Sequence, residues 1–460
     1  MKAELPVTPE NSYSLMVQRL AIDSPQLREI ATRPDLSQHA RCNLERFLSS
    51  AGTTSERYGA VLRSPRAVER ALDIFEFSEY LTDVLVRYPA EVSLLEQIGE
   101  RQSAKAADLF EDGPQSERAT SDPVLVYLAQ GRAARSEAMT ILRQHYRQRV
   151  FLSGARDLFL LREVFESLSD HTAAADAAIQ AAFAIAGSPP GFAVVGLGRL
   201  GACEFDLLSD ADVVFVCDER SKNEDMLRVA ERMMEALTAY TRDGTVFPVD
   251  ARLRPHGREG ELMVTPAQLA AYFEDEAKPW EALTYLKMRH VAGDREVGNR
   301  AIEEVRKGIA RIAARPDFEA ELNEVRTRLE RSEAGPNFKT GPGGVYDLDY
   351  LAGVLQARHQ VWLAGNLRDR LRSLDNAGLL ESGEFEGLAE SALFLRTLEH
   401  LVRLVTGRAS KWLPVGEHQH RSVQKLLWHV LGIQESFDAK GRLTEVLRQT
   451  RETYLRYRRA

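Results

Sequence analysis

Ser209-Asp210-Ala211-Asp212-Val213-Val214-Phe215-Val216 sets two carboxylates two residues apart at the start of an apolar run. Side chains of a strand alternate faces, so Asp210 and Asp212 point one way while Ala211, Val213 and Phe215 point the other. Like charges this close repel unless a cation lies between them. Magnesium suits such a pair because it takes one or two carboxylates together with phosphate oxygens. A bare Asp-x-Asp is most often a solvated turn, so the reading depends on what surrounds it.

Downstream, Thr245-Val246-Phe247-Pro248-Val249-Asp250-Ala251-Arg252-Leu253-Arg254 also alternates. The period predicts a second strand with Phe247, Val249, Ala251 and Leu253 facing a core and Asp250, Arg252 and Arg254 sharing the other face. Pro248 restricts that strand to a start or an edge. Three acids and two guanidiniums on neighbouring strands point to phosphoryl or nucleotidyl transfer, with Asp210, Asp212 and Asp250 as metal ligands and catalytic acids. Arg252 and Arg254 are suited to hold phosphate oxygens bidentately.

Upstream, Phe192-Ala193-Val194-Val195 reads as a strand, and Gly196-Leu197-Gly198-Arg199-Leu200-Gly201 matches G-x-G-x-x-G, with Asp218 near the place of a ribose-binding acid. This admits two readings. One is a dinucleotide fold. The other is a glycine turn, around Gly198 and Gly201, that brings backbone amides to a triphosphate ahead of Ser209 and the acids. The segment Glu204 to Asp210 is too short and turn-prone for the long helix a dinucleotide fold needs, which favours the second.

These residues resemble the glutamine synthetase adenylyltransferase/deadenylylase family, whose modules are polymerase-beta-like nucleotidyltransferases. The resemblance rests on Gly196 to Asp212, on Val249 to Pro255 with Tyr272, Trp280, Glu281, Lys287, Arg289 and Val291 to Asp294, and on Lys339 to Tyr350. Ala202 departs from a usual glycine, and Tyr346 and Asp349-Tyr350 depart within the third block. The resemblance implies ATP as substrate, two magnesium ions, Lys287 and Arg289 as further phosphate contacts, and a tyrosine of glutamine synthetase as acceptor. It also implies a PII-type signal protein as regulator. The family joins two modules, one attaching AMP and one removing it by phosphorolysis, whereas this chain carries one. Attachment is the preferred direction, removal is the alternative, and a catalytically silent helical regulatory scaffold is the reading from another class. In the expected mechanism Asp250 also takes the acceptor's proton.

A 460-residue chain with 44% hydrophobic content can bury large cores and divide into several domains. The expected fold is α+β and predominantly helical, with an N-terminal helical region (1–155), a small mixed-sheet nucleotidyltransferase domain (156–300) and a C-terminal helical bundle (301–460). Ser64-Pro65 signals a helix start, and Leu81, Val84, Leu85 and Tyr88 recur at helical spacing up to Pro89. Gln102 to Asp122 reads as a surface loop. Met226, Val229, Ala230, Met233 and Leu237 mark a helix after the first acidic strand, and Gly343-Gly344 opens another whose amides could meet an anion. A net charge of −8 argues against nucleic-acid binding. Cys42, Cys203 and Cys217 lack paired spacing, which fits a reducing, cytoplasmic setting without structural zinc. The N-terminus has no signal-peptide pattern, and no segment has the length to span a membrane.

Overall fold

A computed structural model describes residues 9–99, 122–331, 337–363, 365–432 and 438–459. The fold is α+β and predominantly helical, with one small mixed sheet, as the sequence predicts. Helices α1 (Pro9–Asp23), α2 (Pro25–Ala31), α3 (Gln38–Ala51), α4 (Ser55–Leu62), α5 (Pro65–Phe77) and α6 (Glu79–Arg87) precede a 3-10 segment, Pro89–Gln97. Pro65 begins α5 as expected, but the Ser64 side chain makes no capping hydrogen bond. Helix α6 stops at Tyr88 because Pro89 cannot extend it. Of the expected loop, Gln102 to Ser121 lies outside the described residues, while Asp122 caps α7 (Pro123–Ala129) by accepting from the amides of Val124 and Leu125. Two long helices follow, α8 (Arg135–Leu160) and α9 (Val164–Ala186).

The sheet is built from β1 (Phe192–Gly196), β2 (Ala211–Cys217), β3 (Val249–Asp250), β4 (Met263–Val264) and β5 (Arg289–Gly293). A single helical turn, α10 (Gly198–Gly201), joins β1 to β2, and α11 (Glu224–Thr238) follows β2. Helices α12 (Pro266–Asp275) and α13 (Pro279–Tyr285) lie between β4 and β5, and α14 (Arg295–Ala313) comes next. Strand order is β3-β2-β1-β5, with β4 also paired to β2. The β1–β2 and β1–β5 pairs are antiparallel, whereas β3 and β4 run parallel to β2. A dinucleotide fold needs β1 and β2 parallel across a helical crossover, so the antiparallel pairing removes that reading. Asp218 is accounted for separately by its ion pair with Arg300 at 2.6 Å.

Alternation divides the sheet's side chains between two cores. Phe192, Val194, Val213, Phe215 and Cys217 pack with Ala178, Ala182, Ala230 and Met233 of α9 and α11. Ala193, Val195, Val214 and Val216 pack with Phe273 of α12 and Ala301, Val305 and Ile309 of α14. Burying each large apolar side chain contributes about 1.5–3 kcal/mol relative to exposure. Asp212 shares the period of Val214 and Val216 and opens the second face at the strand's edge, as the alternation predicts.

Helices α15 (Phe318–Arg331), α16 (Val345–His359), α17 (Leu367–Asn376), α18 (Glu384–Thr406), α19 (Glu417–Leu431) and α20 (Ala439–Arg459) complete the described fold. They share a core with the N-terminal helices, in which Phe47, Phe75 and Leu81 join Leu395, Val402, Leu404 and Leu426. The Ser78 hydroxyl donates to the Leu404 carbonyl at 2.7 Å across this contact. The loop from β1 to β2 links the cores, with Phe205 packed beside the sheet and Leu207 in the helical core.

Two expectations are corrected. The second acidic strand ends at Asp250, because the Asp250 carboxylate accepts the Arg252 amide at 2.8 Å and turns the chain, so Arg252 and Arg254 lie in a loop and not on a strand face. The amides of Gly343 and Gly344 are not available to an anion: they donate to the Asp347 carboxylate at 2.7 Å and the Gly341 carbonyl at 3.0 Å.

Candidate active site

Parallel pairing of β2 with β3 sets Asp212 opposite Asp250. One carboxylate oxygen from each of Asp210, Asp212 and Asp250 falls within 4.8 Å of the others. Asp210 is exposed just before the strand, and the other two are half-buried. Burial, then the charges of Asp210 and Asp250, push the Asp212 carboxyl up to about 7. Asp250 moves the opposite way, because hydrogen bonds from Arg252 favour its charged form. The Arg252 Nε lies 2.9 and 2.8 Å from the two Asp250 oxygens, and its guanidinium also forms an ion pair there, yet the side chain stays largely exposed. A half-buried acid whose ionisation is opposed by desolvation and by two neighbouring acids belongs to a donor set that fits a divalent cation.

The glycine turn is shaped by this acid. Gly198 has φ +53, and a Cβ there would lie 2.0 Å from the Asp212 Oδ2. Only glycine therefore permits both the backbone conformation and the position of the carboxylate. Gly201 serves another close approach, since its Cβ would lie 2.0 Å from the Lys287 carbonyl oxygen. Its amide donates to the Leu197 carbonyl at 2.7 Å, inside the turn.

The other predicted contacts divide into four groups. Arg252 and Arg254 line an open groove with Asp210, Asp250, Arg258 and Met234. Arg254 donates to the carbonyls of Ala251 at 2.6 Å and Gly260 at 3.1 Å, acceptors that leave its positive charge uncancelled. Lys287 is largely buried and paired with Asp349 at 3.2 Å, while its charge still acts on Asp212. Arg289 is a correction: its guanidinium is bound at 2.8 Å to both Asp176 oxygens and at 2.9 Å to the Leu200 carbonyl, so it braces the glycine turn from behind. Ser209 is buried, and its hydroxyl oxygen accepts from the Asp206 amide at 3.3 Å and from Arg403 at 3.1 Å, which fixes the approach to Asp210.

Behind the acids lies a buried network that no local spacing announces. Glu204 pairs with Arg396 and accepts the Leu367 amide at 2.7 Å. Asp206 meets His400 Nδ1 at 2.7 Å and faces Arg199 and Arg403, both at 3.6 Å. Glu399 pairs with Arg199, with Arg396 at 3.1 Å and with Lys339 at 3.7 Å. Asp349 meets Arg370 at 2.8 Å and Lys287 at 3.2 Å. Burial opposes ionisation of Asp206, Glu399 and Asp349, but the facing cations outweigh it and hold all three well below the usual carboxylate range. Burial also pushes Lys339 down to about 8, against the pull of Glu399. Asp347 turns away from this group to Arg326 at 2.7 Å and Arg451 at 3.0 Å, so it forms no second acidic claw with Asp349.

Sequence reasoning missed Arg258, four residues past Arg254, although the basic run Arg252 to Arg258 was its signal. It also missed Glu204, Asp206, Arg396, Glu399 and Arg403, whose partners lie nearly 200 residues away.

Residues 68–304 match the family model described as glutamate-ammonia ligase adenylyltransferase, just over half of the chain. Residues 316–456 match the GlnD PII-uridylyltransferase model. Similar proteins include one from Streptomyces avermitilis, 29% identical over 380 residues, covering 78% of this chain and 36% of the relative. Another, from Mycobacterium bovis, is 34% identical over 302 residues, covering 60% of this chain and 29% of the relative. Both are named bifunctional glutamine synthetase adenylyltransferase/adenylyl-removing enzyme. The chain spans about a third of the length of these relatives. With three carboxylates set beside a glycine turn and a family match running through both, the chain belongs to the glutamate-ammonia ligase adenylyltransferase family.

Proposed function

We propose that this chain is a nucleotidyltransferase module that transfers AMP from ATP to a tyrosine hydroxyl of glutamine synthetase. The observation that carries the reading is the cluster of Asp210, Asp212 and Asp250 at the mouth of β2, opening on a groove lined by arginines. The names of the relatives supply the protein substrate. The match of residues 316–456 to the PII-uridylyltransferase model supports a PII-type signal protein as partner.

In the transfer, the tyrosine oxygen forms a bond to the alpha phosphorus, the bond to the bridging oxygen breaks, and pyrophosphate leaves. Asp210, Asp212 and Asp250 would hold magnesium, which supplies charge neutralisation and activates the acceptor oxygen when bound. Arg254 and Arg258 offer positive charge along the groove to the departing pyrophosphate. Arg252 is exposed and tied only locally, so it can leave Asp250 for a phosphate. That exchange returns Asp250 toward ordinary carboxylate basicity, and we assign it as acceptor of the tyrosine proton.

Labelled ATP, magnesium and unmodified glutamine synthetase test the direction. Label entering the synthetase supports attachment. Phosphate-dependent release of AMP from the modified synthetase, without incorporation, assigns removal instead. Neither activity would leave a silent scaffold.

A further inference from the structure

A second group of metal-ligating side chains lies apart from the acids of the groove. Asp157 on α8, His171 on α9 and His400 on α18 are all buried, and one donor atom from each lies within 4.8 Å of the other two. We infer that Asp157, His171 and His400 form a buried site for a divalent transition metal of the zinc class.

The inner atoms carry the argument. Asp157 Oδ2, His171 Nε2 and His400 Nε2 are each buried without a hydrogen-bond partner of acceptable geometry, although unpaired polar atoms are costly in a core. The two imidazole nitrogens face the carboxylate oxygen at 3.6 Å and 3.2 Å. Ligands at zinc bond lengths near 2.0–2.2 Å in tetrahedral geometry lie about 3.3 Å apart. The spacing is therefore that of one tetrahedral edge repeated, with room in the coordination set for a further small ligand.

The outer atoms hold the ligands in place. His400 Nδ1 meets the Asp206 carboxylate at 2.7 Å, which fixes the ring so that Nε2 points inward toward Asp157, and a metal there would take the place of any proton on Nε2. Asp157 Oδ1 accepts from Arg162 Nε at 2.9 Å and from the Ser167 hydroxyl at 2.5 Å, which leaves Oδ2 turned inward. Two imidazoles and one carboxylate select a transition metal over magnesium. Because Asp206 also lies in the loop that presents Ser209 and Asp210, a metal here would tie three helices to that approach.

Cobalt(II) is the probe, added to the full chain carrying Asp210→Asn and Asp212→Asn so that the groove cannot supply the binding. One equivalent is expected, with the intense visible bands of low-coordinate cobalt, displaced stoichiometrically by zinc. His171→Gln is expected to abolish those bands. Asp206→Asn, which keeps all three ligands, is expected to weaken binding by about 10–100-fold. Binding below one equivalent, weak octahedral-type bands, or bands that persist in His171→Gln would overturn the assignment. If His171→Gln does not fold, the stoichiometry and bands of the parent decide alone.

Discussion

Replacing Gly198 by alanine separates the position of Asp212 from the stability of the fold. At φ +53 a Cβ costs about 1–2 kcal/mol in backbone strain. The same Cβ would lie 2.0 Å from the Asp212 Oδ2, so the carboxylate must retreat by about 1.4 Å to reach ordinary van der Waals separation. A misplacement of about 1 Å can cost on the order of 100-fold in rate, equivalent to about 2.7 kcal/mol of transition-state stabilisation. Gly378 supplies the control, being exposed, at φ +69, with nothing within 4 Å of its own Cβ position. Gly378→Ala is expected to show the strain without loss of activity. Gly198→Ala is expected to show a comparable shift in thermal midpoint together with a fall in kcat/KM of about 100-fold. The assay is AMP incorporation into glutamine synthetase beside a thermal melt. Wild-type kcat/KM in Gly198→Ala would refute the argument that this turn sets the position of Asp212.

Glu204→Gln leaves Arg396 buried with a weakened partner, and a loss of about 3 kcal/mol is expected from breaking a buried pair on one side. Denaturant titration reads it, and an unchanged midpoint would contradict the bracing role given to this pair. Lys339 is held down to about 8 by burial, so it is charged at neutral pH and loses its charge as pH rises through that value. Its folded form disfavours the proton, so its contribution to stability rises between about pH 8 and its ordinary value near 10.5. Its charge acts on Asp212, so kcat/KM is expected to fall over the same alkaline limb and Lys339→Arg to move that limb upward; an unmoved limb would show that Lys339 does not tune the acids.

Short-range pattern made the first acidic strand legible, because period-two alternation from Ala211 to Cys217 has no competing use for its side chains. The same alternation misled at Asp250 to Leu253. There a carboxylate captures an amide two residues on, and that local bond ends the ladder while every side chain still fits the pattern. Gly198 and Gly201 were legible as a tight turn, but the atoms that require them, on Asp212 and Lys287, come from elsewhere in the chain. Arg289 shows the limit of motif reading. Its place in the second block of the family resemblance suggested a phosphate contact, whereas its guanidinium is bound to the Asp176 carboxylate on α9. The convergence of Asp157, His171 and His400 depends on three helices packing together, and no spacing along the sequence encodes it.

In the proposed reaction Asp212 works as part of a three-acid site for AMP transfer. Asp212→Asn keeps the side chain's size and removes its charge. The most direct measurement is the rate at which purified wild type and Asp212→Asn move labelled AMP from ATP onto glutamine synthetase in the presence of magnesium. The expected result is transfer by the wild type and a loss of at least about 100-fold in the variant, with the fold intact by circular dichroism. Transfer at an undiminished rate in Asp212→Asn would contradict it.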